Sequence, residues 1–162
     1  MSTPSASPLA AALAHGPLVL DGGLSNQLQA QGCDLSDELW SARLLVDDPR
    51  QVEAAHAAYV RAGARVLITA SYQVSYGGFA RRGLDRARTD ALLRRSVALA
   101  RAAAGGAAGG PAGDAGNPPV WVAASVGPYG AVLADGGEYR GRYGLAVAAL
   151  ERFHRPRIEA LA

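Results

Sequence analysis

The sequence contains no lysine, and its single cysteine, Cys33, excludes a disulfide bond within the chain. All 16 basic residues are arginines, and the densest group of them, in residues 81–95, has no aromatic side chains among it. A nucleic-acid surface usually combines basic and aromatic residues, so this group predicts a solvated helix face instead. We therefore expect no nucleic-acid partner, and a lone cysteine is compatible with a reducing compartment.

The sequence also lacks long apolar runs. No stretch approaches the ~20 residues that span a bilayer, and no basic residue precedes Arg43, so the charged region of a signal peptide is missing. Apolar residues make up 49% and charged residues 19% of the chain, which is typical of a globular domain. We expect a cytoplasmic protein without a membrane partner, in which residues 1–15 form a flexible N-terminal tail.

Three apolar runs each end in small or polar residues and lead into a helical pattern. They predict strands at about 17–21, 65–69 and 120–124, with helices beginning at Pro49, near residue 85 and near residue 145. In the last helix Phe153, Ile158 and Leu161 recur on one face, and residues 105–118 form a low-complexity loop rich in glycine and alanine. Alternating strands and helices predict a parallel α/β sheet, either open and doubly wound or closed into a β/α barrel.

Both of these folds place their chemistry at the carboxyl ends of the strands. Asp21 ends the first strand and is followed by Gly22 and Gly23, so a carboxylate stands where a ligand could approach the backbone. The alternative is that DGG is simply a turn. DGGLSNQ does not fit the GxGxxG pattern of dinucleotide-binding loops. The other two strand ends supply hydroxyl groups, on Thr69, Ser71, Tyr72, Ser125 and Tyr129.

Six stretches in this order resemble the N-terminal half of the homocysteine S-methyltransferases. They are LDGGLSNQL, DLSDELWSARLLVDDP, RAGARVLITASYQVSYGGF, LLRRSVALA, VAASVGPYGAVLADGGEYRGRYG and FHRPRIEAL. The resemblance implies a (β/α)8 TIM barrel, of which residues 16–162 supply about the first three βα units. It further implies methyl transfer from S-methylmethionine, or another sulfonium donor, to homocysteine, giving methionine.

The same resemblance implies roles for the residues at the strand ends. Asp21 would bind the ammonium group of homocysteine. Gly22 and Gly23 would leave space for the end of that molecule that carries its amino and carboxylate groups. The SVGPYG loop, with Ser125 and Tyr129, would bend around the substrate. The residues implied to line the pocket are Trp40, Thr69, Ser71 and Tyr72.

Members of this family bind zinc through three cysteines, with the homocysteine sulfur as the fourth ligand, and zinc binding both deprotonates and positions a thiol. Cys33 does not match any of those three positions, and a packed side chain is the simpler interpretation. A complete barrel takes ~250 residues, so we expect the zinc ligands to follow residue 162. We therefore expect this chain to be incomplete by that measure, to hold no zinc and to have no catalytic residue of its own.

Two alternatives remain open at this point. The chain could be a non-catalytic half-barrel fragment or assembly module, which pairs with another chain. It could also be an unrelated β/α barrel enzyme that acts on a small metabolite through Asp21 and the hydroxyl groups. Because an unclosed sheet leaves an exposed edge, we expect the isolated chain to self-associate or to pair with a missing C-terminal half.

Overall fold

The computed structural model describes residues 8–36, 41–105, 119–133 and 135–162. Trp40 and nearly all of the predicted loop at 105–118 lie outside these ranges. The helices are α1 (Pro8–Ala14), α2 (Leu24–Ala30), α3 (Ser41–Asp47), α4 (Pro49–Arg61), α5 (Tyr76–Ala80), α6 (Arg86–Ala103), α7 (Tyr129–Leu133), α8 (Gly137–Arg140) and α9 (Val147–Leu161). The strands are β1 (Val66–Ile68) and β2 (Trp121–Ala123).

The two strands pair in parallel, with Val66 opposite Trp121 and Ile68 opposite Ala123. The first predicted strand also runs parallel to β1, but it forms only an isolated bridge between Leu20 and Val66. The predicted strands at 65–69 and 120–124 are confirmed in shorter form, and the one at 17–21 is reduced to this bridge. The chain is thus an α/β structure in which three consecutive parallel segments end on the same side.

The two long central helices begin where their sequences predict. Pro49 occupies the first turn of α4, where its missing N–H costs nothing. The Asp85 side chain accepts a hydrogen bond from the Arg88 amide at 2.8 Å and so caps α6. Leu92, Leu93 and Val97 recur at helical spacing on α6; they are buried and form the core together with residues of α3 and α4.

His56, on α4, is fully buried in this helical layer, and neither ring nitrogen has a hydrogen-bond partner. Burial lowers the pKa of His56 to about 4, because the charged imidazolium is poorly solvated in the core. His56 is therefore a neutral, packed side chain at physiological pH, as its place on an apolar helical face indicates.

Three features differ from the sequence-based expectations. Residues 8–14 of the predicted flexible tail form α1, because the run of alanine and leucine has a high helix propensity, although none of its residues is buried. The segment between the predicted strand at 120–124 and the helix predicted near residue 145, for which no element was predicted, contains α7 and α8. On α9, Leu161 is buried as expected, but Ile158 is 51% exposed, and Arg157 beside it is fully buried.

The helices leave apolar residues of the sheet uncovered. Leu20, which bridges to Val66, is 58% exposed, and Ile68, two residues further along β1 and therefore on the same face, is 37% exposed. Parallel strands are normally covered on both faces, so these exposures mark a face of the sheet without a packing partner in this chain. Among the described residues, no helix has the length and apolar character needed to cross a membrane.

Candidate functional site

A cavity of about 240 Å³ lies at the carboxyl ends of the strands. It is lined by Asp21, Gly22, Gly23, Leu24, Ser25, Ile68, Thr69, Ala70, Tyr72, Gln73 and Ser125. Most of the predicted site residues are therefore brought together around one space. A groove of about 560 Å³ between α6 and α9 is larger, but it contains none of them. The parallel topology explains the convergence, since each segment delivers its last residue and the following loop to the same side.

Asp21 presents an acceptor without a partner at the wall of this cavity. Its Oδ2 atom accepts a hydrogen bond from the Ile68 amide at 2.9 Å, whereas its Oδ1 atom is buried and has no partner among the described residues. Burial raises the pKa of Asp21, and the bond from Ile68 partly offsets this effect. A cationic donor bound at Oδ1 would satisfy the free acceptor and stabilise the charged carboxylate.

Tyr59 holds the two glycines that follow Asp21. Its hydroxyl donates to the Gly23 carbonyl at 2.9 Å, and a Cβ atom on Gly22 would lie 2.9 Å from the Tyr59 ring. Gly22 thus permits the close approach of the Tyr59 ring, and its backbone angle is an ordinary one. The sequence pattern places Tyr59 on the core face of α4 and gives no indication of this contact.

The Thr69 and Ser71 hydroxyls form a closed chain of hydrogen bonds with the backbone of Ser125. The Ser125 amide donates to Thr69 Oγ1 at 2.9 Å, and Ser71 Oγ donates to the Ser125 carbonyl at 2.7 Å. The Ser71 proton is engaged in that bond, so the 2.6 Å contact between the two hydroxyls must be donated by Thr69. Neither hydroxyl retains a proton for a ligand, and each can only accept further hydrogen bonds.

The remaining predicted residues lie in different surroundings. Tyr72 lines the cavity with 39% of its surface exposed, and burial of the rest raises the pKa of its phenol. Tyr129 instead packs against the rings of Tyr143 and Phe153, with centroids 5.5 and 5.1 Å away, and does not line the cavity. Ser71 is fully buried behind the cavity wall. Ligand contact by any of these residues stays a prediction.

The glycines of the SVGPYG loop allow backbones to meet. A Cβ atom on Gly127 would lie 2.3 Å from the Tyr72 carbonyl oxygen, and one on Gly130 would lie 2.4 Å from the Glu138 amide. Neither position tolerates a side chain without displacement of the backbone, because real Cβ atoms do not approach so closely. The apolar run ends in small residues because the loop after β2 packs directly on the loop after β1.

Sequence reasoning missed Ser25 and Gln73, which also line the cavity. Each lies close to a predicted strand-end residue, so extending the candidate loops by one or two positions would have included both. Their polar side chains add possible donors and acceptors to the walls formed by Asp21 and Tyr72.

The residues that the structure describes do not fit a zinc centre. Within the described ranges no three histidine, cysteine or acidic side chains are grouped closely enough to hold a metal ion. Cys33 is partly buried and packs against the core, and burial raises the pKa of its thiol, opposite to the change that favours metal binding.

The family model described as homocysteine S-methyltransferase matches residues 18–162. A homocysteine S-methyltransferase of Escherichia coli (strain K12) is 52% identical over 147 residues, covering 89% of this chain and 46% of that protein. Homocysteine S-methyltransferase 4 of Zea mays is 47% identical over 155 residues, covering 92% of this chain and 45% of that protein.

The fold is similar to that of a solved relative. The metallated form of the homocysteine methyltransferase MmuM from Escherichia coli superposes with a TM-score of 0.84 at 51% identity, covering 96% of this chain and 53% of that one. The apo form superposes with a TM-score of 0.64. This chain spans about half the length of the relatives that it matches.

Proposed function

Because this chain belongs to the homocysteine S-methyltransferase family, we propose that it forms the N-terminal, substrate-binding part of a cytoplasmic enzyme that methylates homocysteine. The reaction would move a methyl group from S-methylmethionine, or another sulfonium donor, to the homocysteine thiolate and give methionine. The support is the match of the family model over residues 18–162 and the relatives that carry this name.

We propose that the three parallel segments are the first three strands of a (β/α)8 barrel. The exposure of Leu20 and Ile68 supports this arrangement, because such residues would be covered once further strands closed the sheet. The length relation agrees, since the relatives continue for about as many residues again beyond the matched part.

The observation that carries the substrate assignment is the unpartnered, buried Oδ1 atom of Asp21 at the cavity wall. An α-ammonium group supplies the cationic N–H donor that this atom lacks, and a charge-assisted bond is stronger than a neutral one. Gly22 and Gly23 leave the adjacent backbone uncovered for the carboxylate end of the amino acid. Asp21 therefore binds and orients the amino-acid end of homocysteine. The homocysteine thiol extends away from that end.

Zinc is the cofactor that the family implies, but the described residues do not fit it. No step of the reaction is assigned to a metal within this chain. The groups that activate the thiol would be supplied by the part of the protein that corresponds to the unmatched half of the relatives.

The proposal is tested by homocysteine binding to this chain co-expressed with the unmatched C-terminal portion of the Escherichia coli relative. Asp21→Asn keeps the shape and the bond from the Ile68 amide but removes the charge. We expect affinity to fall roughly ten- to a hundredfold, since hydrogen bonds to charged groups contribute about 1.5 to 3 kcal/mol.

Asp34→Asn is the matched control. The Asp34 carboxylate also accepts a backbone hydrogen bond, from Ser36 at 2.9 Å, but it is exposed and lies outside the cavity. Calorimetric titration should give the wild-type affinity for this variant. Equal affinities of wild type and Asp21→Asn would show that Asp21 is only a turn residue, and a folded assembly that binds no homocysteine would contradict the proposed function.

One alternative, a non-catalytic assembly module, is favoured by the exposed apolar face of the sheet. In that case the chain would pair with another half-barrel without binding homocysteine. Sedimentation of the 162-residue chain at several concentrations measures its tendency to pair. The homocysteine titration then distinguishes an assembly that binds homocysteine from one that does not. The alternative of an unrelated barrel enzyme does not agree with the family assignment.

A further inference from the structure

Arg157, on α9, is the largest of the fully buried side chains. Its guanidinium forms a fork, in which Nη1 donates to the Gly127 carbonyl at 2.8 Å and Nη2 donates to the Tyr72 carbonyl at 3.1 Å. One side chain thus joins the loop after β1 to the loop after β2. The planar, fixed geometry of guanidinium suits two acceptors that lie side by side.

The charge of Arg157 has no ion-pair partner among the described residues. It is solvated instead by the two carbonyl oxygens and by the face of the Phe153 ring, 5.0 Å from the guanidinium carbon. His154 Nδ1 lies 3.5 Å from Nη1, and burial together with the nearby Arg157 charge lowers the pKa of His154. Desolvation lowers the pKa of Arg157 to about 10, and the group stays charged at physiological pH.

The contacts of Arg157 continue a series that begins in the sheet. The β1–β2 ladder ends at Ile68, after which the Thr69 amide donates to the Ala123 carbonyl at 3.0 Å. The Thr69 and Ser71 hydroxyls then bond to the backbone of Ser125. The Arg157 contacts follow one residue further along the first loop, at Tyr72, and two residues further along the second, at Gly127. Side chains thus hold the loops together where backbone pairing has ended.

We propose that Arg157 is a positioning residue, which fixes the two strand-end loops against each other and thereby places Tyr72 at the wall of the homocysteine cavity. The inference that this placement affects substrate binding rests on the proposed function. The joining of the loops does not, since it follows from the two carbonyl contacts alone. Arg157 lies behind the cavity and does not line it, so it acts through Tyr72 rather than by touching the ligand.

Amide hydrogen exchange in the 162-residue chain, followed by NMR, tests the joining of the loops. The reporters are the amides of Ser125, which bonds to Thr69, and Val74, which bonds to the Ser71 carbonyl at 3.1 Å. In Arg157→Met we expect both amides to exchange about tenfold faster, because the loss of a charge-assisted fork frees both loops. The interior amides of α6 should change by less than about twofold.

Two further variants keep the test decisive. Arg157→Lys retains the charge, but its ammonium cannot span both carbonyls, so we expect one reporter to stay protected and the other to exchange faster. Arg155→Met removes an exposed arginine of the same helix, paired with Glu151, and should leave both reporters unchanged. If Arg157→Met does not fold, the exchange rates of Arg157→Lys decide whether Arg157 joins the two loops. Unchanged reporters, or acceleration that extends equally into α6, would overturn the joining role.

Homocysteine titration into the co-expressed assembly tests whether the placement of Tyr72 by Arg157 affects substrate binding. We expect Arg157→Lys to bind homocysteine about tenfold more weakly while its thermal unfolding temperature stays near that of the wild type. If Arg157→Lys loosens the loops but binds homocysteine with the wild-type affinity, the proposal that Arg157 supports binding by placing Tyr72 is overturned. A wild-type assembly that binds no homocysteine refutes the proposed function, whereas the exchange experiment still decides whether Arg157 joins the loops.

Discussion

The two sides of the cavity are built differently. On one side, the loops after β1 and β2 are joined by the Thr69 and Ser71 hydroxyls and by the fork of Arg157. On the other side, the Asp21 amide donates to the Val66 carbonyl, the Asp21 side chain accepts from the Ile68 amide, and Tyr59 donates to the Gly23 carbonyl. The first side has its protons engaged within the protein, whereas the second leaves Asp21 Oδ1 without a partner.

This difference indicates which groups can recognise a ligand. A hydroxyl whose proton is already donated contributes shape and at most an acceptor, but a buried carboxylate oxygen without a partner favours a cationic donor strongly. Polar residues at strand ends are therefore not equivalent, although they read alike in the sequence. In this cavity the joined loops provide a fixed wall, and Asp21 provides the charge.

Alanine substitutions at two glycines give the largest expected contrast. In Gly127→Ala the new Cβ atom would meet the Tyr72 carbonyl at 2.3 Å, so the backbone must move, and we expect a loss of about 3 kcal/mol in the free energy of unfolding. In Gly22→Ala the Cβ atom meets the Tyr59 side chain, which can rotate away. The loss there should be about 1 kcal/mol, the value of the displaced hydrogen bond.

Urea denaturation of the two variants measures both losses, with Gly77→Ala as the control. Gly77 lies in α5 with no atom within 4 Å of the added Cβ, so alanine should be neutral or slightly stabilising there. If Gly22→Ala costs as much as Gly127→Ala, the Asp21 side of the cavity is as tightly built as the other, and the contrast is lost.

The hydroxyl chain gives an effect of intermediate size. Thr69→Val keeps the side-chain shape but leaves the Ser125 amide without its acceptor, and Ser71→Ala leaves the Ser125 carbonyl without its donor. We expect each to cost about 1.5 kcal/mol, and the double variant to cost about 1 kcal/mol less than the sum, because both belong to one chain of bonds.

Ser96→Ala supplies the comparison for this cycle. Ser96 is also buried, but its hydroxyl donates to the Leu93 carbonyl of its own helix at 2.7 Å and shares no partner with Thr69. Its loss should add to that of Thr69→Val within about 0.5 kcal/mol. Additive losses for Thr69 and Ser71 as well would mean that the two hydroxyls act independently.

The smallest expected effect concerns the stability contribution of Asp21. Because burial raises its pKa above the unfolded value, the folded chain binds the Asp21 proton more tightly than the unfolded chain does. This contribution to stability is present below the unfolded pKa and is lost as the pH rises through the folded pKa. At pH 7 Asp21→Asn should therefore leave the ligand-free chain equally stable or stabilise it by roughly 0.5 kcal/mol or less.

Thermal unfolding of wild type and Asp21→Asn between pH 4 and pH 7 measures this difference. The advantage of the variant should grow as the pH rises, and Asp34→Asn should not share it, because the Ser36 amide lowers the pKa of Asp34. If Asp21→Asn is clearly less stable than wild type at pH 7, the Asp21 carboxylate stabilises the fold. It would then not be a binding group that lowers the stability of the ligand-free chain.

Much of the fold could be predicted because local signals agree with it. Pro49 and Asp85 mark helix starts through backbone chemistry that acts within a few residues. The predicted strand at 17–21 was only partly right, since a strand is defined by its neighbour, and the first segment pairs with β1 only at Leu20. The local sequence does not show how many residues of a neighbouring strand are available for backbone pairing.

The candidate site was predicted in position better than in detail. Asp21, Thr69 and Ser125 come together as expected, because parallel strands deliver their ends to one side. Tyr129, also predicted at the substrate, packs against Tyr143 and Phe153 and does not line the cavity, so its contact with a ligand stays a prediction. An aromatic side chain in a loop has no periodicity that would indicate which way it turns.

Arg155 and Arg157 show where the information in the sequence ends. They are two residues apart on one helix, which places them on different faces, but nothing in the FHRPR motif states which face meets the sheet. The packing of α9 against the strand-end loops decides it, because only Arg157 then reaches two carbonyl oxygens that solvate a buried charge. The order of the elements and the carboxylate at the first strand end can be read from the sequence, because both follow from local backbone and side-chain chemistry. Which polar groups have their protons engaged, and which are left for a ligand, depends on the folded chain, because hydrogen-bond partners are set by residues distant in the sequence.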